Sequence, residues 1–252
     1  MENRIRRAFA EGRSALGMFI MTPSPALVEM AGHAGFEFVI LDMEHGVAGP
    51  DIVEHLVRAA ETADTTPIVR VTTNDRGLIL RVLDAGALGV LVPHVRSAVD
   101  AQAVVAACKY PPQGARGLAT TARAGRHGFR SVAEHIERSN RETLVALQIE
   151  DAEALPAAEA IAAVPGVDVL FVGPSDLSVS MGYPGQADHP AVQEAIAQVF
   201  QAAHRAGREV GYFVRDVEAA KAMIGRGVRF VSFSSTTVIG TVFRDLAVRA
   251  RA

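Results

Sequence analysis

At 252 residues the chain has room for one large α/β domain or two small ones, and about 250 residues is usual for a single (β/α)8 barrel. Hydrophobic residues make up 49% of it, enough for a sizeable core, which excludes a largely disordered chain. A net charge of −3 argues against nucleic acid or an anionic membrane as partner, and the lone cysteine, Cys108, excludes an internal disulfide framework and fits a reducing compartment.

The opening MENRIRRAFAEGR lacks the apolar core of a signal peptide, and no apolar run reaches the roughly 18 residues of a membrane span. A cytoplasmic location is the expectation. Eight short runs rich in Val, Ile and Leu then follow in order: Ala15–Met21, Phe36–Met43, Pro67–Val71, Gly89–Val95, Leu144–Glu150, Val167–Gly173, Glu209–Arg215 and Val228–Ser234. They read as unbroken apolar segments, as strands covered on both faces do. Amphipathic stretches separate them; in Asp51–Ala63, for example, Ile52, Val53, Leu56, Val57 and Ala60 share one helical face.

Eight strand–helix units predict a closed (β/α)8 TIM barrel, with residues 1–252 as a single domain. The runner-up, an open doubly wound sheet, lacks the Gly-x-Gly-x-x-Gly that its dinucleotide-binding form would carry after the first strand. Two insertions interrupt the rhythm, Tyr110–Asn140 and Ser178–His189. The tail Thr236–Ala252 predicts a final helix with an apolar stripe of Val238, Ile239, Val242, Phe243 and Leu246.

In a barrel the reacting groups sit where strands end, at the C-terminal face. Of the eight histidines only His45 and His94 fall at strand ends. His94 reads first as a hydrogen-bonded structural residue. His45 stands in LDMEHG, where Asp42 is placed to polarise its ring as carboxylates do for catalytic imidazoles, while Glu44 points elsewhere. Arg70 closes the apolar PIVRV. A guanidinium there needs an anion, either a structural carboxylate or an anionic, enolate-like substrate.

The insertion's Arg116, Arg123, Arg126 and Arg130 fit either a solvated loop or a lid over an acidic substrate tail. Glu150 ends the fifth run and Asp176 closely follows the sixth, 26 residues apart, and parallel neighbours would deliver both to one rim. Two carboxylates there make a candidate site for a hard divalent cation, Mg²⁺ or Mn²⁺, with Co²⁺ admissible. A rival reading has Ser175 or Asp176 capping a helix. Lys109 and Lys221, the only lysines, both lie off the strand ends, so Schiff-base chemistry lacks its nucleophile. Any carbanion must then be stabilised by a metal or by fixed dipoles.

LDMEHG, PIVRV, LDAGALGVLVPHV, PPQGARG, QIED and FVGPSDLSVSMG, in that order, resemble motifs of the HpcH/HpaI aldolase family across roughly residues 15 to 240. The resemblance implies a metal-dependent class II aldolase that reversibly cleaves a 4-hydroxy-2-oxo acid to pyruvate and an aldehyde. It implies a homo-oligomer, usually a hexamer with the last helix exchanged between protomers. Residue by residue, Glu150 and Asp176 resemble the metal ligands, and Arg70 resembles the residue at the pyruvate keto oxygen, with Gln148 beside it. Amides around Gly173, Pro174, Ser175 and Asp176 resemble the carboxylate seat, and His45 with Asp42 resembles the acid/base pair. Asp84 resembles a residue that reaches a neighbouring protomer's site. The chain departs from the family at His94, where a hydrophobic residue is common, and after Arg123. Two alternatives stand beside this reading: a lyase acting on an acyl-CoA ester, and a binder of oxo acids without turnover.

Overall fold

In the computed structural model, which describes residues 1–251, all eight apolar runs are strands. They are β1 Ala15–Ile20, β2 Phe38–Asp42, β3 Thr66–Arg70, β4 Gly89–Val92, β5 Leu144–Ile149, β6 Val169–Val172, β7 Glu209–Phe213 and β8 Phe230–Ser234. Each pairs in parallel with the next, and β8 pairs with β1, so the sheet closes into a barrel. Helices α1 Arg4–Ala10, α2 Pro25–His33, α3 Pro50–Thr62, α4 Arg76–Asp84 and α5 Ala98–Cys108 precede the long insertion. Then come α6 Val132–Glu142, α7 Ala158–Ala162, α8 Pro174–Ser180, α9 Pro190–Arg205, α10 Val217–Gly225 and α11 Ser235–Arg249. The final helix predicted from the sequence is present; Ala252, its expected last residue, lies outside the described residues.

The core divides in two because a strand turns alternate side chains to opposite faces. Val39, Leu41, Val69, Val145, Leu147 and Leu170 belong to the layer under the helices. Phe38, Ile40, Ile68, Leu91, Ala146, Val169 and Phe171 fill the barrel interior. Phe38 and Phe230 stack there at 4.1 Å, and Gly17 carries no side chain because one would fall on the Phe38 ring.

The sequence reading did not find α1. Its Ile5 and Ala8 are wholly buried in the interior cluster, at the N-terminal end of the barrel. Asn3 caps α1 by accepting from the Ile5 and Arg6 N–H groups, and its own amide donates to the Leu88 and Glu142 carbonyls. The signal was present as Asn3 before Ile5, Ala8 and Phe9, but seven residues show too little periodicity to stand apart.

Candidate active site at the C-terminal rim

The alternation that fills the interior also selects the site. On β2, Asp42 follows Phe38 and Ile40 on the inner face; on β3, Arg70 follows Ile68. On β5, Gln148 and Glu150 continue the parity of Leu144 and Ala146, and beyond β6 Gly173 continues that of Val169 and Phe171. The barrel axis therefore ends in one layer of polar groups above a plug of phenylalanines.

Asp42 and Arg70 are register partners on the last rung between β2 and β3. Arg70 donates from Nε to Asp42 Oδ1 at 2.8 Å and from Nη2 to Oδ2 at 2.7 Å, a bidentate pair. Asp42 is wholly buried and Arg70 only 6% exposed. Burial alone would lower the Arg70 pKa, but the hydrogen bonds and charge of Asp42 outweigh it and hold the guanidinium firmly charged. Arg70 Nη1 also lies 3.0 Å from Glu44 Oε2, and its guanidinium sits 4.9 Å from the Phe19 ring centre.

This corrects the expected pairing of Asp42 with the His45 ring. The Asp42 oxygens are taken by Arg70, and His45 meets Asp42 through its backbone N–H at 3.4 Å. The exposed His45 lines the rim pocket, held there by its backbone. Glu44, expected to point away, instead turns in toward Arg70 and His94.

Glu150 is 2% exposed. Its Oε1 accepts from the His94 backbone N–H at 3.1 Å, and its Oε2 accepts from the Gln148 amide. Burial pushes its carboxyl above the ordinary range, and the nearby Glu44 adds to this against the opposing influence of His94. Gly173 leaves the space that Glu150 and Gln148 occupy; a Cβ there would lie 3.0 Å from Gln148 Nε2 and Glu150 Oε2.

Asp176 stands in the first turn of α8, after the strand next to that of Glu150 and at the same rim. The capping reading for Ser175 or Asp176 fails. Gly173 is the N-cap, Pro174 follows at the first helical position, and no side chain caps the helix. The first-turn N–H groups of Ser175 and Asp176 therefore have no side-chain cap, and both residues line the pocket. That pocket, about 210 Å³, is lined by His45, Arg70, Gln148, Pro174, Ser175 and Asp176 over an apolar floor that includes Phe19 and Phe171.

His94, expected as a hydrogen-bonded structural residue, is instead set among charged groups at the rim. His94 sits just past β4 with φ of 54°, a left-handed backbone uncommon outside glycine. Its Nδ1 lies 3.1 Å from Asp151 Oδ2 and 3.4 Å from Glu150 Oε1, and its Nε2 lies 3.6 Å from Glu44 Oε1. Arg96 Nε donates to Asp151 at 2.9 Å. Glu44, His94 and Glu150 each offer one donor atom within 4.8 Å of the others. Glu150 was expected here as a metal ligand; for His94 the sequence signal was its strand-end placement, and for Glu44 there was none.

The arginine-rich insertion is not a lid over this pocket. Residues 109–131 connect α5 to α6 at the opposite, N-terminal end of the barrel, where they help line a cavity of about 480 Å³. Arg116 pairs there with Asp84 at 2.6 Å, and Arg123 pairs with Glu61. Asp84 is thus far from its own protomer's rim, and a role in catalysis requires a second copy.

A model of the HpcH/HpaI aldolase/citrate lyase family matches residues 15–239. The chain is similar to a hydroxypyruvate/pyruvate aldolase of Sagittula stellata, 36% identical over 100% of this chain and 97% of that one. It is 37% identical to a pyruvate aldolase of Rhizobium etli over 99% of this chain and 94% of the other. Among solved structures, an HpcH/HpaI aldolase/citrate lyase family protein from Burkholderia cenocepacia superposes with a TM-score of 0.94 at 32% identity, covering 99% and 100% of the two chains.

Proposed function

Because the chain belongs to the HpcH/HpaI aldolase/citrate lyase family, we propose that its rim pocket splits a 4-hydroxy-2-oxo acid into pyruvate and an aldehyde. The protein is a carbon–carbon lyase of the class II pyruvate aldolase type. The observation that carries this reading is Glu150: a buried carboxylate bonded to Gln148, which lines one small pocket together with the fixed Arg70 guanidinium and the uncapped start of α8.

The residues present fit a divalent cation. Asp42 is neutralised by Arg70 and Asp151 by Arg96, while Glu150 is buried with no guanidinium of its own. Buried carboxylates need a compensating charge, and Gln148 Oε1 is buried here without a partner. Glu150 and Asp176 would hold the ion, with Glu44 and His94 within reach of Glu150. Once bound, it supplies Lewis acidity that stabilises the enolate of pyruvate.

The chain's own groups do the rest. Ser175 and Asp176 N–H groups bind the carboxylate of the oxo acid, as open first-turn amides bind anions. Arg70, kept rigid by Asp42, directs its charge at the keto oxygen, where negative charge grows. His45 takes the proton from the C4 hydroxyl. The C3–C4 bond then breaks, its electron pair passing to C3 of the pyruvate enolate as the aldehyde leaves, and protonation at C3 yields pyruvate. Phe19, Phe171 and Phe213 floor the pocket and limit water at the carbanion.

The active unit is a homo-oligomer, a hexamer in the family pattern. Support comes from α11, which leaves Val242, Phe243 and Leu246 50%, 67% and 60% exposed. No helix of the described residues is long and apolar enough to cross a membrane, so this stripe is not part of a span.

Pyruvate release from 4-hydroxy-2-oxo acids, with and without chelator, tests the reading. Rigorous removal of metal abolishes release and Mg²⁺ or Mn²⁺ restores it. Glu150→Gln lowers turnover at least about a hundredfold, given the charge stabilisation at stake. Full activity after chelation defeats the proposal. Pyruvate binding without deuterium exchange at its methyl group in heavy water would mark a binder instead, and turnover confined to CoA esters would mark the other lyase.

A further inference from the structure

The strand-end His94 lies against the proposed metal carboxylate of Glu150. His94 is no core buttress: its side chain is 51% exposed, and its partners are charged. Three carboxylates, from Glu44, Glu150 and Asp151, surround this one imidazole. Nδ1 lies 3.4 Å from Glu150 Oε1 and Nε2 lies 3.6 Å from Glu44 Oε1, and one donor atom from each of the three residues falls within 4.8 Å of the others. Metal–ligand bonds near 2.1 Å bring adjacent donors to about 3 Å, so side chains whose donor atoms lie within 4.8 Å of one another need rotamer-scale movement to close on one ion. Asp151, held by Arg96, lies 3.1 Å from Nδ1; in the tautomer protonated there it accepts from Nδ1 and Nε2 keeps its lone pair, the second-sphere carboxylate arrangement common for ligating histidines. A separate observation points to the same place. Gln148 is 1% exposed, bonded to Glu150, and its Oε1 has no partner.

We propose that His94 contributes an imidazole nitrogen to the divalent-metal site of Glu150, and that this nitrogen shifts the site's preference from Mg²⁺ toward Co²⁺ and related transition ions. The inference rests on the metal-dependent reading above and adds a determinant of metal choice to it. Carboxylate and water suit Mg²⁺ and Mn²⁺, whereas imidazole favours later first-row metals. The oxygen-ligated site expected from two rim carboxylates thus becomes a mixed nitrogen–oxygen one. The left-handed backbone at His94 turns a residue just past β4 back toward Glu150 on β5's side, which primary spacing does not reveal.

The test uses full-length protein stripped of metal and then loaded with defined ions. Electron spin-echo modulation of the Mn²⁺ form shows coupling to a directly bound nitrogen, and His94→Leu removes it. Calorimetric titration shows Co²⁺ affinity falling about tenfold or more in His94→Leu, as loss of a ligand or its support does, while Mg²⁺ affinity changes little. His94→Gln, which keeps a polar side chain, gives the same loss of preference if the leucine variant folds poorly. Labelling wild type with ¹⁵N-histidine changes the coupling without any substitution. Nitrogen coupling absent from the wild type or unchanged in the variants overturns the proposal, as does an unaltered Co²⁺ to Mg²⁺ preference; aldol cleavage that still requires metal would then leave the broader reading standing. Failure of the wild type to bind any of these ions overturns both.

Discussion

Arg70 has two duties that the sequence could only pose as alternatives, a structural ion pair and a substrate cation. Its Nε and Nη2 serve Asp42, while its guanidinium still borders the pocket that holds His45 and Gln148. The pair aims the group, so removing Asp42 tests positioning and stability together. Asp42→Asn leaves a buried guanidinium only partly compensated by Glu44, a loss of about 3 kcal/mol by analogy with broken buried pairs. Denaturant unfolding measures that loss. Steady-state kinetics should show KM for the oxo acid rising as the carboxylate–guanidinium geometry loosens. Unchanged stability and KM would remove Asp42 from this role.

At the scale of elements, the long insertion is an anchored part of the barrel's N-terminal end. On α6, His135 is wholly buried, and its Nε2 meets the Tyr110 hydroxyl at 3.0 Å. Burial, then the positive charges of Arg116 and Arg130, lower its pKa below 6.5. Between the unfolded value of about 6.5 and that lowered value, the unfolded chain binds more protons than the folded one. Stability from His135 is therefore complete above about pH 6.5 and is lost as pH falls toward the folded pKa. Thermal unfolding across pH 5 to 7 should show this slope, with His135→Gln flatter than wild type. Equal slopes would show that the ring does not govern this element's acid response.

For the whole molecule, the decisive feature is a helix with nothing on its apolar side. Ser235 is the only buried residue of α11, although Val238, Val242, Phe243 and Leu246 form a continuous stripe. Such a stripe of large side chains is costly in water, and in the proposed assembly a second copy of the chain covers it. Light scattering after size exclusion should find a multiple of the 26.7 kDa chain mass. The double change Phe243→Asp with Leu246→Asp should reduce it, and activity should fall too if Asp84 serves a neighbour's site. A wild-type monomer, or a variant of unchanged mass, counts against the assembly.

Primary structure by itself was enough for the eight strands, the closed parallel barrel, and the placing of Arg70, Glu150 and Asp176 at one end. Each of those follows from local rules: apolar runs of strand length, helical periodicity between them, and polar residues where a run stops. It did not show that Asp42 serves Arg70 more than His45, that the arginines of residues 110–130 lie away from their own protomer's rim pocket, or that His94 turns in to face Glu150. Those outcomes depend on closure of the sheet, which brings residues 28, 56 and 57 positions apart into contact and sets which alternate side chains face the axis. Inner and outer positions are equally hydrophobic in a strand covered on both faces, so parity became visible only once the barrel closed.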